Sequence, residues 1–107
     1  MKKQTLNERN KIDNPQYVFR LYVTGASPNS LRAITNTKSI FETYLDEDYD
    51  LQIIDVHQQP LVAAEDNSIA LPLLIKKYPL PEKRLIGDMS DMEKVLRSIG
   101  VSNVLPK

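Results

Sequence analysis

From Tyr17 the chain alternates, with Phe19, Leu21 and Val23 on one side of an extended segment and Val18, Arg20 and Tyr22 on the other. That pattern predicts a strand with both faces partly covered. Gly25 ends it, Ser27 is placed to cap a helix, and Pro28 suits the first helical position, where its missing N–H would be unpaired anyway. Leu31, Ile34, Phe41 and Leu45 then fall on one helical stripe, with Ile40 and Tyr44 beside it. The acidic run Asp46-Glu47-Asp48 is unfavourable at the negative end of a helix and belongs to the following loop.

Leu51 to Val56 is a second apolar, β-branched run, so the strand–helix–strand order implies two parallel strands. Pro60 opens a weak helix of barely two turns containing Leu61, Ala64 and Glu65. Ser68 to Tyr78 reads as a third strand, and Pro72 within it must mark an edge, a bulge or a cis turn because it cannot donate a ladder hydrogen bond. Pro79 to Glu82 is a turn and Arg84 to Gly87 a fourth strand, which together suggest a hairpin. Ser90-Asp91-Met92-Glu93 has the spacing of a capping box with Ser90 as the cap. Met92, Val95, Leu96 and Ile99 form the stripe of a last helix that stops at Gly100.

The order β-α-β-α-β-β-α is that of an α/β, thioredoxin-like domain. A length of 107 residues suits one such domain. We expect a flexible N-terminal arm over 1–16, the domain over 17–100 and a short tail over 101–107. The arm is polar, with too little apolar surface to offset the entropy of ordering.

Composition narrows the chemistry. Hydrophobic residues make up 41% and charged residues 26% of the chain, as in globular proteins that fold in water. With 14 basic and 14 acidic side chains the net charge is zero, so no overall field draws the protein to nucleic acid or an anionic membrane. There are no cysteines, which excludes disulfides, thiolate metal sites and thiol redox chemistry. The chain has no apolar run of about 18 residues and no signal-peptide core near Met1, so a cytoplasmic location is expected.

The loop Gly25-Ala26-Ser27-Pro28-Asn29 stands where a thioredoxin carries its Cys-x-x-Cys. Without a thiol it cannot exchange disulfides. Ser27 as a nucleophile would need His57, the one histidine, as its base, and nothing in the sequence positions the two together; capping is the better reading. Asp55 and His57 offer two metal ligands without a third. No catalytic, cofactor or metal site is expected, and the chain is read as a non-enzyme. Lys76, Lys77, Lys83 and Arg84 form a basic cluster around the Pro79-Pro81 turn, suited equally to protecting a strand edge and to docking a partner. Tyr17, Tyr22 and Tyr49, placed near sheet edges, are candidates for an oligomer interface.

Four blocks carry a family resemblance: Leu21 to Ala33 (LYVTGASPNSLRA), Gln52 to Asp66 (QIIDVHQQPLVAAED), Ile69 to Leu74 (IALPLL) and Arg84 to Leu96 (RLIGDMSDMEKVL). In these blocks and their ungapped spacing the chain resembles the KaiB family of circadian-clock proteins over about Tyr17 to Leu96. The resemblance implies a non-enzymatic regulatory adaptor that binds a KaiC-like ATPase ring, with a KaiA-like protein and a sensor histidine kinase as further partners. It also implies a homo-oligomer, dimer or tetramer, and a second ground-state fold available to the C-terminal half. On the resemblance, Arg32, Lys76 and Arg84 lie at basic positions that meet acidic partner surfaces. Pro72, Pro79 and Pro81 are candidate slow gates between two folds, since proline isomerisation takes roughly tens of seconds or longer. The chain departs from the family pattern at Gln58, at Asn67 and from Arg97 to Gly100. The alternative function is a thioredoxin-like sensor or stress-response interaction module that works without a clock and without redox activity.

Overall fold

The computed structural model describes residues 16–46, 48–67 and 70–101. The expected arm, up to residue 15, and the tail after 101 lie outside the described residues. Strand β1 (Tyr17–Val23) leads through a turn at Gly25 into helix α1 (Pro28–Tyr44), followed by β2 (Tyr49–Asp55), α2 (Pro60–Glu65), β3 (Leu73–Tyr78), β4 (Lys83–Ile86) and α3 (Met92–Ile99). This is the order read from the sequence. The sheet order is β2-β1-β3-β4, with β1 and β2 parallel and the two later pairings antiparallel.

Alternation on β1 divides the interior in two. Phe19, Leu21 and Val23 pack with Ala33, Ile40 and Phe41 of α1, Leu74 and Leu85 of the hairpin, and Val95, Leu96 and Ile99 of α3. On the opposite face Tyr22 packs with Ile54, Leu73, Ile75 and Ala63 of α2. The first cluster is the larger because two helices cover it. A six-residue helix covers only part of the second face, and Ile86 is left 62% exposed there at the sheet edge.

Three expectations need correction. The buried stripe of α1 runs through Ser30, Ala33, Thr37, Ile40 and Phe41, whereas Leu31 is exposed. Ser30 Oγ accepts the Thr24 N–H at 3.0 Å, which turns this small polar residue inward and carries Leu31 about 100° round the helix to solvent. The third strand begins at Leu73, after Pro72, so the proline sits before the ladder, with Leu71-Pro72 cis. The cap of α3 is Asp91, which accepts the Lys94 N–H at 3.2 Å, and Ser90 lies outside the helix.

Candidate functional site

The Gly25 turn and the start of α1 face Pro72 across the C-terminal end of β1. Thr24, Ser27, Pro28, Asn29, Leu71 and Pro72 line a cleft of about 350 Å³ between them. Ser27 holds the extended backbone of an N-cap, and its hydroxyl accepts the Ser30 N–H at 3.2 Å. Thr24 Oγ1 lies 3.4 Å from the Ser27 and Ser30 hydroxyls, so the three side chains knit the turn to the helix. The hydrogen bonds of His57 run elsewhere, its N–H donating to Asp55 Oδ1 at 2.9 Å. Ser27 is thus a cap whose hydroxyl is engaged by α1. Among the described residues no group of three or more His, Cys, Asp or Glu side chains could hold a metal ion.

The basic residues singled out in the sequence do not form one patch. Arg32, exposed on α1, pairs with Asp88 at 3.2 Å and donates to Asn29 Oδ1. Hydrogen bonds from Ser90 and the Arg32 cation hold the Asp88 carboxyl below the usual range. Lys83 is exposed on β4, and Arg84 beside it pairs with Glu82 at 3.3 Å. Lys77 reaches Asp66 at 2.6 Å and lies 3.7 Å from Glu82. Lys76, expected on the surface, is only 5% exposed, and its ammonium donates to the Ile99 carbonyl oxygen at 3.4 Å. Burial, with the nearby Lys83 charge, pushes its pKa down. In this arrangement Lys76 offers a partner no charge; Lys83 and Arg84 do.

The tyrosines divide likewise. Tyr17 is half-buried at the start of β1 and stacks on Phe19 with ring centroids 5.9 Å apart. Tyr49 is half-buried on the edge strand β2 with its ring edge-on to Phe41. Tyr22 is completely buried, because β1 is an interior strand and Tyr22 points under α2. It therefore belongs to the core and is not an interface residue in this fold. Pro72, Pro79 and Pro81 all follow cis peptide bonds.

What the sequence did not disclose is a charged cluster beneath α2. Asp66, the C-cap of α2, is 5% exposed and accepts from Tyr22 at 2.6 Å, from Arg20 Nη1 at 2.9 Å and from Lys77 at 2.6 Å. Burial alone would raise its carboxyl pKa, but the hydrogen bonds from Lys77, Tyr22 and Arg20 outweigh it and hold the group at about 2. Burial and the same carboxylate raise the Tyr22 phenol. Hydrogen bonding to Tyr22, against the cost of burial, raises the Arg20 guanidinium. The available signal was modest: Arg20 and Tyr22 share one face of β1, and α2 is too poor in buried apolar groups to dock on that face without help.

Besides Leu31 on α1 and Met92 on α3, the large apolar side chains exposed among the described residues are Leu61 on α2, Tyr78 and Leu80 at the hairpin, and Ile86 on β4. Together with Lys83 and Arg84 they leave the α2 side and the hairpin with a mixture of exposed apolar and basic side chains.

Comparison with known proteins places this geometry. The family model described as KaiB domain matches residues 20–101. The chain is 49% identical over 80 residues to the circadian clock oscillator protein KaiB of Synechococcus elongatus, covering 75% of this chain and 78% of that protein. Among solved structures, the N-terminal domain of Synechococcus elongatus SasA superposes with a TM-score of 0.66 and 20% identity, covering 100% of this chain and 97% of that one. Mitochondrial thioredoxin 3 from Saccharomyces cerevisiae gives a TM-score of 0.65 at 16% identity, covering 86% and 84%. The fold is therefore thioredoxin-like.

Proposed function

The chain belongs to the KaiB family, and from that premise we propose that it is a non-enzymatic regulatory adaptor of a clock or clock-like system, binding a KaiC-type ATPase ring. The observation that carries this reading is the family match, which spans the Gly25 turn and the C-terminal half as far as residue 101. Two structural features support it. Ser27 stands where a thioredoxin would need a thiol and serves as a helix cap. The α2 side and the hairpin expose Leu61, Leu80, Ile86, Lys83 and Arg84, side chains with no evident use in stabilising the chain by itself.

A KaiA-like protein and a sensor histidine kinase are the further partners we propose, on the strength of the family match. Assembly into a dimer or tetramer would use Tyr49 on the edge strand β2 and Tyr17 beside it at the start of β1, and a second arrangement of the C-terminal half would accompany it. No helix among the described residues is long and apolar enough to cross a membrane, and we place the protein in the cytoplasm.

The test is size-exclusion chromatography and pull-down with a phosphorylated KaiC-type ring, sampled over hours. A complex that elutes with the ring is expected. If none forms, the adaptor reading fails and a module that works without a clock takes its place.

A further inference from the structure

Strand β3 carries two consecutive lysines that serve opposite faces of the sheet. Its pairing with β1 runs Val18 with Tyr78 and Phe19 with Lys76, which leaves Lys77 with no partner residue on β1. An extra residue of this kind turns the strand and re-aims its neighbouring side chains. Lys76 lies on the side of Leu74 and Leu85, beneath the C-terminus of α3, where it meets the Ile99 carbonyl oxygen. Lys77, the next residue along the pleat, follows Ile75 to the other face and reaches Asp66 at the C-terminus of α2.

The two ammonium groups are differently satisfied. Lys77 has one carboxylate at 2.6 Å and a second at 3.7 Å. Lys76 is 5% exposed, has one long hydrogen bond to a carbonyl among the described residues, and pairs across the hairpin with the cationic Lys83. A buried ammonium so poorly partnered gains by moving to water. The packing of α3 and the register of β3 must keep it in.

We propose that the Asp66–Lys77 ion pair clamps the register of β3 and thereby holds Lys76 buried beneath α3, so that opening the clamp on one face loosens the helix on the other. The side-chain period of a strand is two, so Lys76 leaves the interior when β3 slips or turns by one residue. The same movement takes Lys77 away from Asp66. Asp66 is itself fixed by Arg20 and Tyr22 of β1, the strand against which the register of β3 is set. The clamp joins β1, β3 and α2, and Lys76 transmits its state to α3. This goes beyond the adaptor reading and does not depend on it.

Two readouts on the full chain at neutral pH test it: trace acylation of lysines by acetic anhydride, quantified by mass spectrometry, and amide hydrogen exchange. In the parent protein Lys76 should acylate about tenfold or more slower than Lys83. In Lys77→Met, Lys76 acylation and α3 exchange should each rise about tenfold while α1 keeps its protection. Adding Lys76→Met should restore α3 to parental exchange with α2 still loosened, because methionine has no reason to leave the interior. The proposal is overturned if Lys76 stays unreactive in Lys77→Met, if α1 loosens equally, or if α3 is as loose in the double variant. Should Lys77→Met not fold, Asp66→Asn, which keeps the side-chain shape and removes the charge, is carried through the same measurements and decides.

Discussion

The hydroxyl of Tyr22 donates to the Asp66 carboxylate at 2.6 Å, joining residues 44 positions apart in the chain. That contact explains how a weak helix is held. Helix α2 has six residues, no side-chain cap at its N-terminus, and Ala63 as its one buried residue. A helix of this length does not persist on its own propensity. Its C-cap aspartate is instead tied to two residues of β1 and one of β3. Polar contacts take the part that apolar area takes for α1 and α3.

Tyr22→Phe should therefore destabilise the protein by about 1–2 kcal/mol, because the ring still fills its place while a buried acceptor loses a donor. Urea denaturation should show a lower midpoint with an unchanged slope. The Asp66 carboxyl, followed by NMR, should titrate at higher pH in the variant. A midpoint equal to that of the parent would mean that Lys77 and Arg20 satisfy Asp66 by themselves.

The same carboxylate gives stability a defined acid limb. Its pKa is about 2 in the folded chain against an ordinary 3.8, so the folded state holds fewer protons between those values. The stabilisation is fully present above about pH 4 and is lost as pH falls toward 2, amounting to about 2 kcal/mol. Asp66→Asn should be less stable than the parent at neutral pH and should show a shallower loss between pH 4 and 2. Parallel curves for the two proteins would place the acid sensitivity in other carboxylates.

The cap of α3 can be assigned by two substitutions. Asp91→Ala should cost about 1 kcal/mol, the ordinary worth of an N-cap. Ser90→Ala should stay within about 0.5 kcal/mol, as expected for an exposed site outside the helix. Thermal or urea unfolding of both variants distinguishes them, and a larger loss at Ser90 would restore the capping box.

Why one was read for the other shows what the sequence could carry. Ser90 to Glu93 and Asp91 to Lys94 both offer a capping side chain, and the choice was made by Asp88, which accepts the Ser90 N–H at 3.1 Å beside the left-handed Met89. That turn delays the helix by one residue. Strand β1, its two faces, the Pro28 start of α1 and the Gly100 stop of α3 were legible because each follows from local period or backbone preference. The burial of Lys76 and Tyr22 was not. Local pattern cannot say that β1 lies inside the sheet, nor that the end of α3 covers Lys76, since both depend on contacts far apart in sequence. The Asp66 cluster was hidden for the same reason: its donors come from two strands, and each residue alone is an ordinary surface type.

The docking surface can be tested by the contrast between exposed and buried cations. Lys83 is exposed, and Arg84 is held by a single exposed partner, Glu82. Arg84→Glu should shift the free energy of unfolding by less than about 0.5 kcal/mol, and Lys83→Glu, which sets an opposite charge across the hairpin from the buried Lys76, should not lower it. Each should weaken binding to a KaiC-type ring by about tenfold at low salt, chiefly through slower association, with the difference shrinking as salt screens the charges. Lys76→Met, which removes a charge that no partner can reach in this fold, should leave the salt dependence of association unchanged and should stabilise the chain, by roughly 1 kcal/mol, since burial disfavours its ammonium. Surface plasmon resonance across a salt series, read beside urea denaturation, separates the two classes. If reversing Lys83 and Arg84 leaves association unaltered at low salt, the basic hairpin is solvated edge and the partner meets the chain elsewhere.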